Sequence, residues 1–176
     1  MPTGDFLLTL DLSSRSVGWT CGMLEDLRFA SGTQLFPKTG DDIGAFIDLH
    51  IQWLESALNG VGLCVMEAPI LPKATSLATC RKLYGQSAVT EYLCRKHKIE
   101  CLEVSNMSVK AFFGVAGAKD PKAAMMDAVL RYGYDALTDD EADAIAIRLY
   151  IINKRFPHLA ARFGLDLGLL GTAVNS

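Results

Sequence analysis

The chain has no excess of positive charge, no long hydrophobic run and no closely paired cysteines. Seventeen Lys and Arg stand against 20 Asp and Glu, a formal net charge of −3. A uniformly basic nucleic-acid-coating protein is therefore excluded. No segment reaches the roughly 18–20 continuous apolar residues that span a bilayer. The first apolar run is short and interrupted by Asp5 and Asp11, unlike a secretory leader, so a cytoplasmic protein with no membrane partner is expected. The five cysteines, Cys21, Cys64, Cys80, Cys94 and Cys101, include no CxxC pair. A zinc knuckle or disulfide framework is not expected from that spacing; small buried apolar side chains in a reducing compartment are.

What is present suits one soluble domain. The 176 residues are half apolar and about a fifth charged, enough to bury a core without staples. Residues 5–12, 17–24 and 28–36 read as three strands joined by short polar turns, hence an antiparallel meander. Apolar residues at 43, 46, 47, 51, 54 and 58 predict a helix over 41–58, capped by Asp41 or Asp42. "GVGLCVMEA" (60–68) reads as a strand buried on both faces, 75–97 as a long helix begun by Thr75 or Ser76, and 99–105 as a fifth strand. A short helix to Phe113, a helix opened by Pro121 and closed at Gly133, and a helix from Asp139 to Phe156 stopped by Pro157 complete the order. The expectation is an α/β fold in which a mixed five-stranded sheet carries helices on both faces. Residues 1–160 form the single domain and 161–176 a tail.

Within this pattern certain acids are out of place. Asp11 interrupts an apolar, β-prone run, "LLTLDLSSRSVGW" (7–19), where a buried carboxylate is costly unless paired or bound to metal. Glu67 ends the strand "LCVME". Asp140 and Asp143, in "TDDEADAIAI", are spaced i, i+3 and share one helical face. Helix-dipole stabilisation accounts for first-turn acids as a group. It accounts less well for Asp143, which sits deeper among alanines. Together these four carboxylates make an all-oxygen donor set suited to hard divalent cations such as Mg²⁺. Two such ions roughly 3.5–4 Å apart can activate water and stabilise a leaving oxygen in phosphodiester hydrolysis. Holding two divalent cations would also bring the formal charge from −3 to about +1.

"LDLSSRSVGW", "VMEAPI" and "DDEADAIAI" resemble the three acidic motifs of the RuvC-type Holliday junction resolvases, in the RNase H-like superfamily. "EAPILPKA", "LYGQSAV" and "VSNMSVKAFFGVAGAKDPKAAM" are similar to the intervening segments, so the resemblance spans roughly residues 5–155. It implies an RNase H-like fold and a metal-dependent endonuclease cutting four-way DNA junctions as a homodimer, with two Mg²⁺ ions that Mn²⁺ can replace. It further implies that Asp11 bridges both metals, that Glu67 serves one ion, and that Asp140 and Asp143 serve the other. Lys110 and Lys122 match basic positions where an ammonium would hold the scissile phosphate. Ser14, Arg15, Lys73, Arg81, Lys82 and Lys119 are candidate DNA contacts. The family often has an aromatic wedge shortly after the strand-four glutamate; here Ile70 or Leu71 takes that place.

Three alternatives stay open on sequence alone. One is an RNase H-like nuclease acting on other branched DNA or on RNA–DNA hybrid. Another is a non-catalytic DNA-binding module. The third is a phosphotransfer fragment, because "DLSSRSVGW" also looks like the phosphate loop of sugar kinases and actin-like ATPases. Leu77, Leu83, Ala88, Tyr92 and Leu93 on the long helix suit a dimer face or core packing equally, and the basic run 95–98 suits phosphate tracking.

Overall fold

The structure is a computed structural model and describes residues 5–69 and 76–162. The chain runs β1 (Phe6–Leu12), β2 (Ser16–Met23), β3 (Ala30–Leu35), α1 (Ile43–Ala57), β4 (Val61–Glu67), α2 (Leu77–His97) and β5 (Glu100–Val104). Four helices follow: α3 (Asn106–Phe112), α4 (Pro121–Arg131), α5 (Asp139–Arg155) and α6 (Pro157–Arg162). One five-stranded sheet has the order β3-β2-β1-β4-β5. β1, β2 and β3 pair antiparallel, while β4 lies parallel to both β1 and β5. The expected mixed sheet is therefore present.

Local chemistry sets the helix ends. Asp42, Ser76, Asp120 and Thr138 each accept a backbone N–H of the first turn as N-caps of α1, α2, α4 and α5. Pro121 occupies the first turn of α4, and Gly133 follows its end with φ of 87°. Pro157 ends α5 as expected but also opens α6, which buries Leu159 and Ala160. The rest of the expected tail, from 163 on, lies outside the described residues, as do Ile70, Leu71 and Lys73. Among the described residues, no helix is long and apolar enough to cross a membrane.

Strand alternation divides the core into two layers. Leu8, Leu10, Cys64 and Met66 face the α1–α2 layer, whereas Leu7, Leu63 and Val65 face the layer built with α4 and α5. A period of two then places Asp11 and Glu67 on the α5 side. Thr9, two residues before Asp11, donates to the Ala144 carbonyl of α5 at 2.8 Å. Arg148 of α5 is fully buried and donates to the Leu7, Gly22 and Met23 carbonyls of β1 and β2 at 2.9, 3.3 and 2.7 Å. Its guanidinium lies over the Phe29 ring. These contacts fix α5 across β1 and β2, with its first turn at the sheet end that carries Asp11.

The Gly-Gln pair of "LYGQSAV" packs helices together. A Cβ at Gly85 would lie 2.8 Å from Ile47 Cδ1, so the missing side chain lets α1 close on α2. Gln86 is fully buried next to it. Leu93, which the sequence leaves equally open to a dimer face or the core, is a core residue at 2% exposure, because its helical face turns toward the sheet.

Gly18 marks the tightest approach among the described glycines. It pairs with Asp11 across β1–β2, and a Cβ there would sit 1.8 Å from the Asp140 carbonyl oxygen. Gly18→Ala should therefore push the head of α5 off the sheet. The expected cost is about 3 kcal/mol or more, at the upper end of overpacking. Urea unfolding of this variant checks it; wild-type stability would contradict the close contact.

Candidate active site

The carboxylates that the sequence singled out meet at one end of the sheet. Asp11 and Glu67 end neighbouring parallel strands, whose register pairs Leu10 with Met66. Asp140 and Asp143 approach from the first turns of α5, above Gly18. Burial holds the Asp11 carboxyl well above its ordinary range, and the negative charges of Glu67, Asp143 and Asp140 push it further. Burial likewise raises Glu67; Asn106 and Lys110 counteract this while Asp143 adds to it. Asp143 is pushed up to about 6, mainly by burial, with Lys110 opposing and Asp139 and Asp140 reinforcing the rise.

Each acid at this end of the sheet has a different surrounding. Asp140 accepts a short hydrogen bond from the Ser16 hydroxyl, and Ser16 is itself tied to Ser13 in the β1–β2 turn. Glu67 accepts from Asn106 Nδ2 at 2.7 Å. Glu141 turns inward and accepts from Ser31 and from the Leu137 backbone N–H at 2.7 and 2.9 Å, a structural role. Asp139 forms an ion pair with Lys122 at the head of α4, which holds the Asp139 carboxyl below its ordinary value. Among the described residues, neither Asp11 nor Asp143 has a hydrogen-bond donor on its carboxylate.

This donor set fits hard divalent cations. It consists only of carboxylate oxygens, two of them without protein donors among the described residues, and burial together with neighbouring negative charge favours a positive partner, although no three of these carboxylates lie within 4.8 Å of one another in this structure. Ser16 and Asn106 hydrogen-bond to Asp140 and Glu67 and hold these two carboxylates in place.

The candidate basic residues divide by position. Lys110 borders a recess of about 310 Å³ with Leu12, Glu67 and Asn106, beside the acids. Lys122 reaches the cluster through Asp139. Lys119 is exposed in the turn before α4. Ser14, Arg15 and Lys82 line a separate cleft of about 300 Å³ together with Lys38 and Ser76. Lys82 is largely buried there, its ammonium 5.0 Å from the Phe46 ring centre. Arg81 is exposed on the preceding position of α2. The basic run 95–98 lies elsewhere. It ends α2 at the opposite end of the sheet, where Lys96 and His97 pair with Glu55 at 2.8 and 2.7 Å.

Sequence reading missed four contributors. Ser16 and Asn106 were indistinguishable from turn and cap residues. Lys38 approaches Arg15 only because β3 returns beside the β1–β2 turn, where the Phe36 N–H donates to the Arg15 carbonyl at 2.9 Å. Asp139 looked like a helix-dipole acid, and pattern alone carried no sign of its pairing with Lys122.

The raised carboxyls make a signed expectation about pH. Their folded pKa values exceed the unfolded ones, so their stabilising contribution is complete below the unfolded values near 4. It is lost as pH rises through the folded values, about 6 for Asp143. Without divalent ions, thermal stability should fall between pH 5 and pH 8. Asp11→Asn should raise the melting temperature at pH 8, and Mg²⁺ should raise that of the wild type there but not at pH 5. Scanning calorimetry with and without chelator checks this; pH-independent melting that ignores Mg²⁺ would contradict it.

No protein-family model and no curated protein sequence matches the chain. Solved structures do. The chain is similar to Thermus thermophilus RuvC, with a TM-score of 0.56 and 16% identity over 90% of this chain and 96% of that one. It is similar to the T. thermophilus RuvC solved in complex with Holliday junction substrate, with a TM-score of 0.58, 13% identity and the same coverage. It is also similar to the yeast mitochondrial Holliday junction resolvase Ydc2, with a TM-score of 0.50 and 16% identity over 95% of this chain and 83% of that one. The strand order, the helix over Asp11 and this coverage together give the chain the RNase H-like fold of the RuvC-type Holliday junction resolvases.

Proposed function

We propose that the chain is a divalent-cation-dependent endonuclease that cuts branched DNA at four-way junctions. One observation carries the reading: three separate elements bring Asp11, Glu67, Asp140 and Asp143 into mutual repulsion at one sheet end. A purely structural core would avoid that arrangement. The fold shared with resolvases supports the substrate class, and one of those neighbours was solved with a Holliday junction.

The chain's own groups supply the rest of the chemistry. Two bound Mg²⁺ or Mn²⁺ ions would activate water and neutralise charge at the phosphodiester. Asp11, Glu67, Asp140 and Asp143 would hold the ions, with Ser16 and Asn106 fixing two of the four carboxylates. Lys110 sits beside Glu67 and Asp143, where its ammonium offsets charge that develops on the phosphate. Lys122 plays a similar part at the rim, in exchange with Asp139. Ser14, Arg15 and Lys82 bind the DNA backbone in the neighbouring cleft, joined by Lys38 and flanked by Arg81, with Lys119 extending the track beyond α4. Lys73, Ile70 and Leu71 belong to this proposal by sequence alone.

A four-way junction has two strands to cut symmetrically, which suits a twofold dimer. The exposed side of α2 supports one: Leu77, Tyr84 and Tyr92 are 76, 48 and 64% exposed and follow one another along a single stripe with Ala88. Sedimentation at micromolar concentration should give twice the chain mass, and Tyr92→Asp should restore the monomer.

Asp11→Asn and Asp143→Asn should abolish Mg²⁺-dependent cutting of a labelled four-way junction while leaving junction binding within a few-fold of wild type. Ser16→Ala and Asn106→Ala should lower activity by about 10–100-fold. Arg15→Ala with Lys38→Ala should weaken binding and flatten its salt dependence, since each lost phosphate contact removes about one unit of slope. The substrate panel includes linear duplex and RNA–DNA hybrid. Preferential cutting of the hybrid would replace the junction reading, and cutting by Asp11→Asn would refute the site.

A further inference from the structure

Three cysteines that are distant in sequence converge on the sheet face opposite the acids. Cys64 lies in β4 and Cys101 in β5, directly paired in the parallel register. Cys94 comes from the last turn of α2. All three thiols are free, and their sulfur atoms lie within 4.8 Å of one another. Among the described residues, no other set of three His, Cys, Asp or Glu ligand atoms is gathered this tightly.

We propose that Cys64, Cys94 and Cys101 form a binding site for a single thiophilic cation of the Zn²⁺ or Cu⁺ class. Metal–sulfur bonds of about 2.3 Å place the sulfurs of a three-thiolate site about 4 Å apart, so small side-chain adjustments bring these three to bonding distance. Soft sulfur donors select such ions over the Mg²⁺ expected at the carboxylates. Cys64 and Cys94 are fully buried among Leu8, Met66, Leu93 and Ile99, while Cys101 is half-buried and gives the ion a way in. On binding, each coordinating thiol releases its proton to solvent and a metal–sulfur bond takes its place. The ion would tie β4, β5 and the end of α2 together, without any part in the carboxylate chemistry.

Reduced protein titrated anaerobically with Cd²⁺, and separately with Cu⁺, should show ultraviolet thiolate-to-metal absorption that saturates at a single equivalent. The melting temperature should rise with it. Cys101→Ala and Cys94→Ala should each weaken uptake at least about 10-fold. A Cys21→Ala, Cys80→Ala double variant should bind like wild type. Because Cys101 is half-buried, its variant is expected to fold, and a circular dichroism spectrum matching wild type makes its loss of uptake interpretable. Uptake by either ion class supports the site. Failure of both ions to bind stoichiometrically would overturn it, as would unchanged uptake by Cys101→Ala, or a disulfide among the three in protein purified without reductant together with no uptake.

Discussion

Electrostatic repulsion among carboxylates at the head of α5 is the constraint around which this structure is arranged. Burial and neighbouring negative charge both raise the proton affinity of Asp11 and Asp143. Close approach is nonetheless enforced from both sides. Gly18 leaves no side chain between sheet and helix, and Thr9 and Arg148 hold α5 down through β-strand and helix carbonyls. Arg148 is drawn down by burial only to about 10, so it stays charged at neutral pH and keeps its grip on β1 and β2. A fold that spends this much packing to hold like charges together is poised to accept a counter-charge from outside.

The surrounding residues divide the acids by task. Glu141 and Asp139 are satisfied by protein partners, Ser31 and Lys122, whereas Asp11 and Asp143 have no donor among the described residues. Neighbours in one helical turn thus have separate roles, one anchoring the helix to β3 and others facing the open end of the sheet. The cleft with Arg15, Lys38 and Lys82 lies at the same end, across the β1–β2 turn. A chain with net negative charge can therefore present a local positive track beside an acidic centre.

Much of the fold was legible because its signals are local. Apolar, β-prone runs located β1 and β4, and Asp42, Pro121 and Pro157 marked helix ends. The odd carboxylate in β1 and the i, i+3 pair in α5 also stood out, since burial of charge breaks the pattern around it. What stayed hidden depends on tertiary contact. Leu93 and Tyr92 are adjacent in one helix, and only packing against the sheet decides that the first is core and the second exposed. Lys96 and His97 looked like phosphate ligands until α1 brought Glu55 beside them. The gathering of Cys64, Cys94 and Cys101 has no sequence signature, because strand register and a helix end produce it.

The most direct test of the central claim is an anomalous difference map from crystals of the protein soaked in Mn²⁺. Two peaks between the carboxylates of Asp11, Glu67, Asp140 and Asp143, with Asp11 touching both, are expected. A fully soaked crystal with Mn²⁺ bound elsewhere and no peak among these four side chains would contradict it.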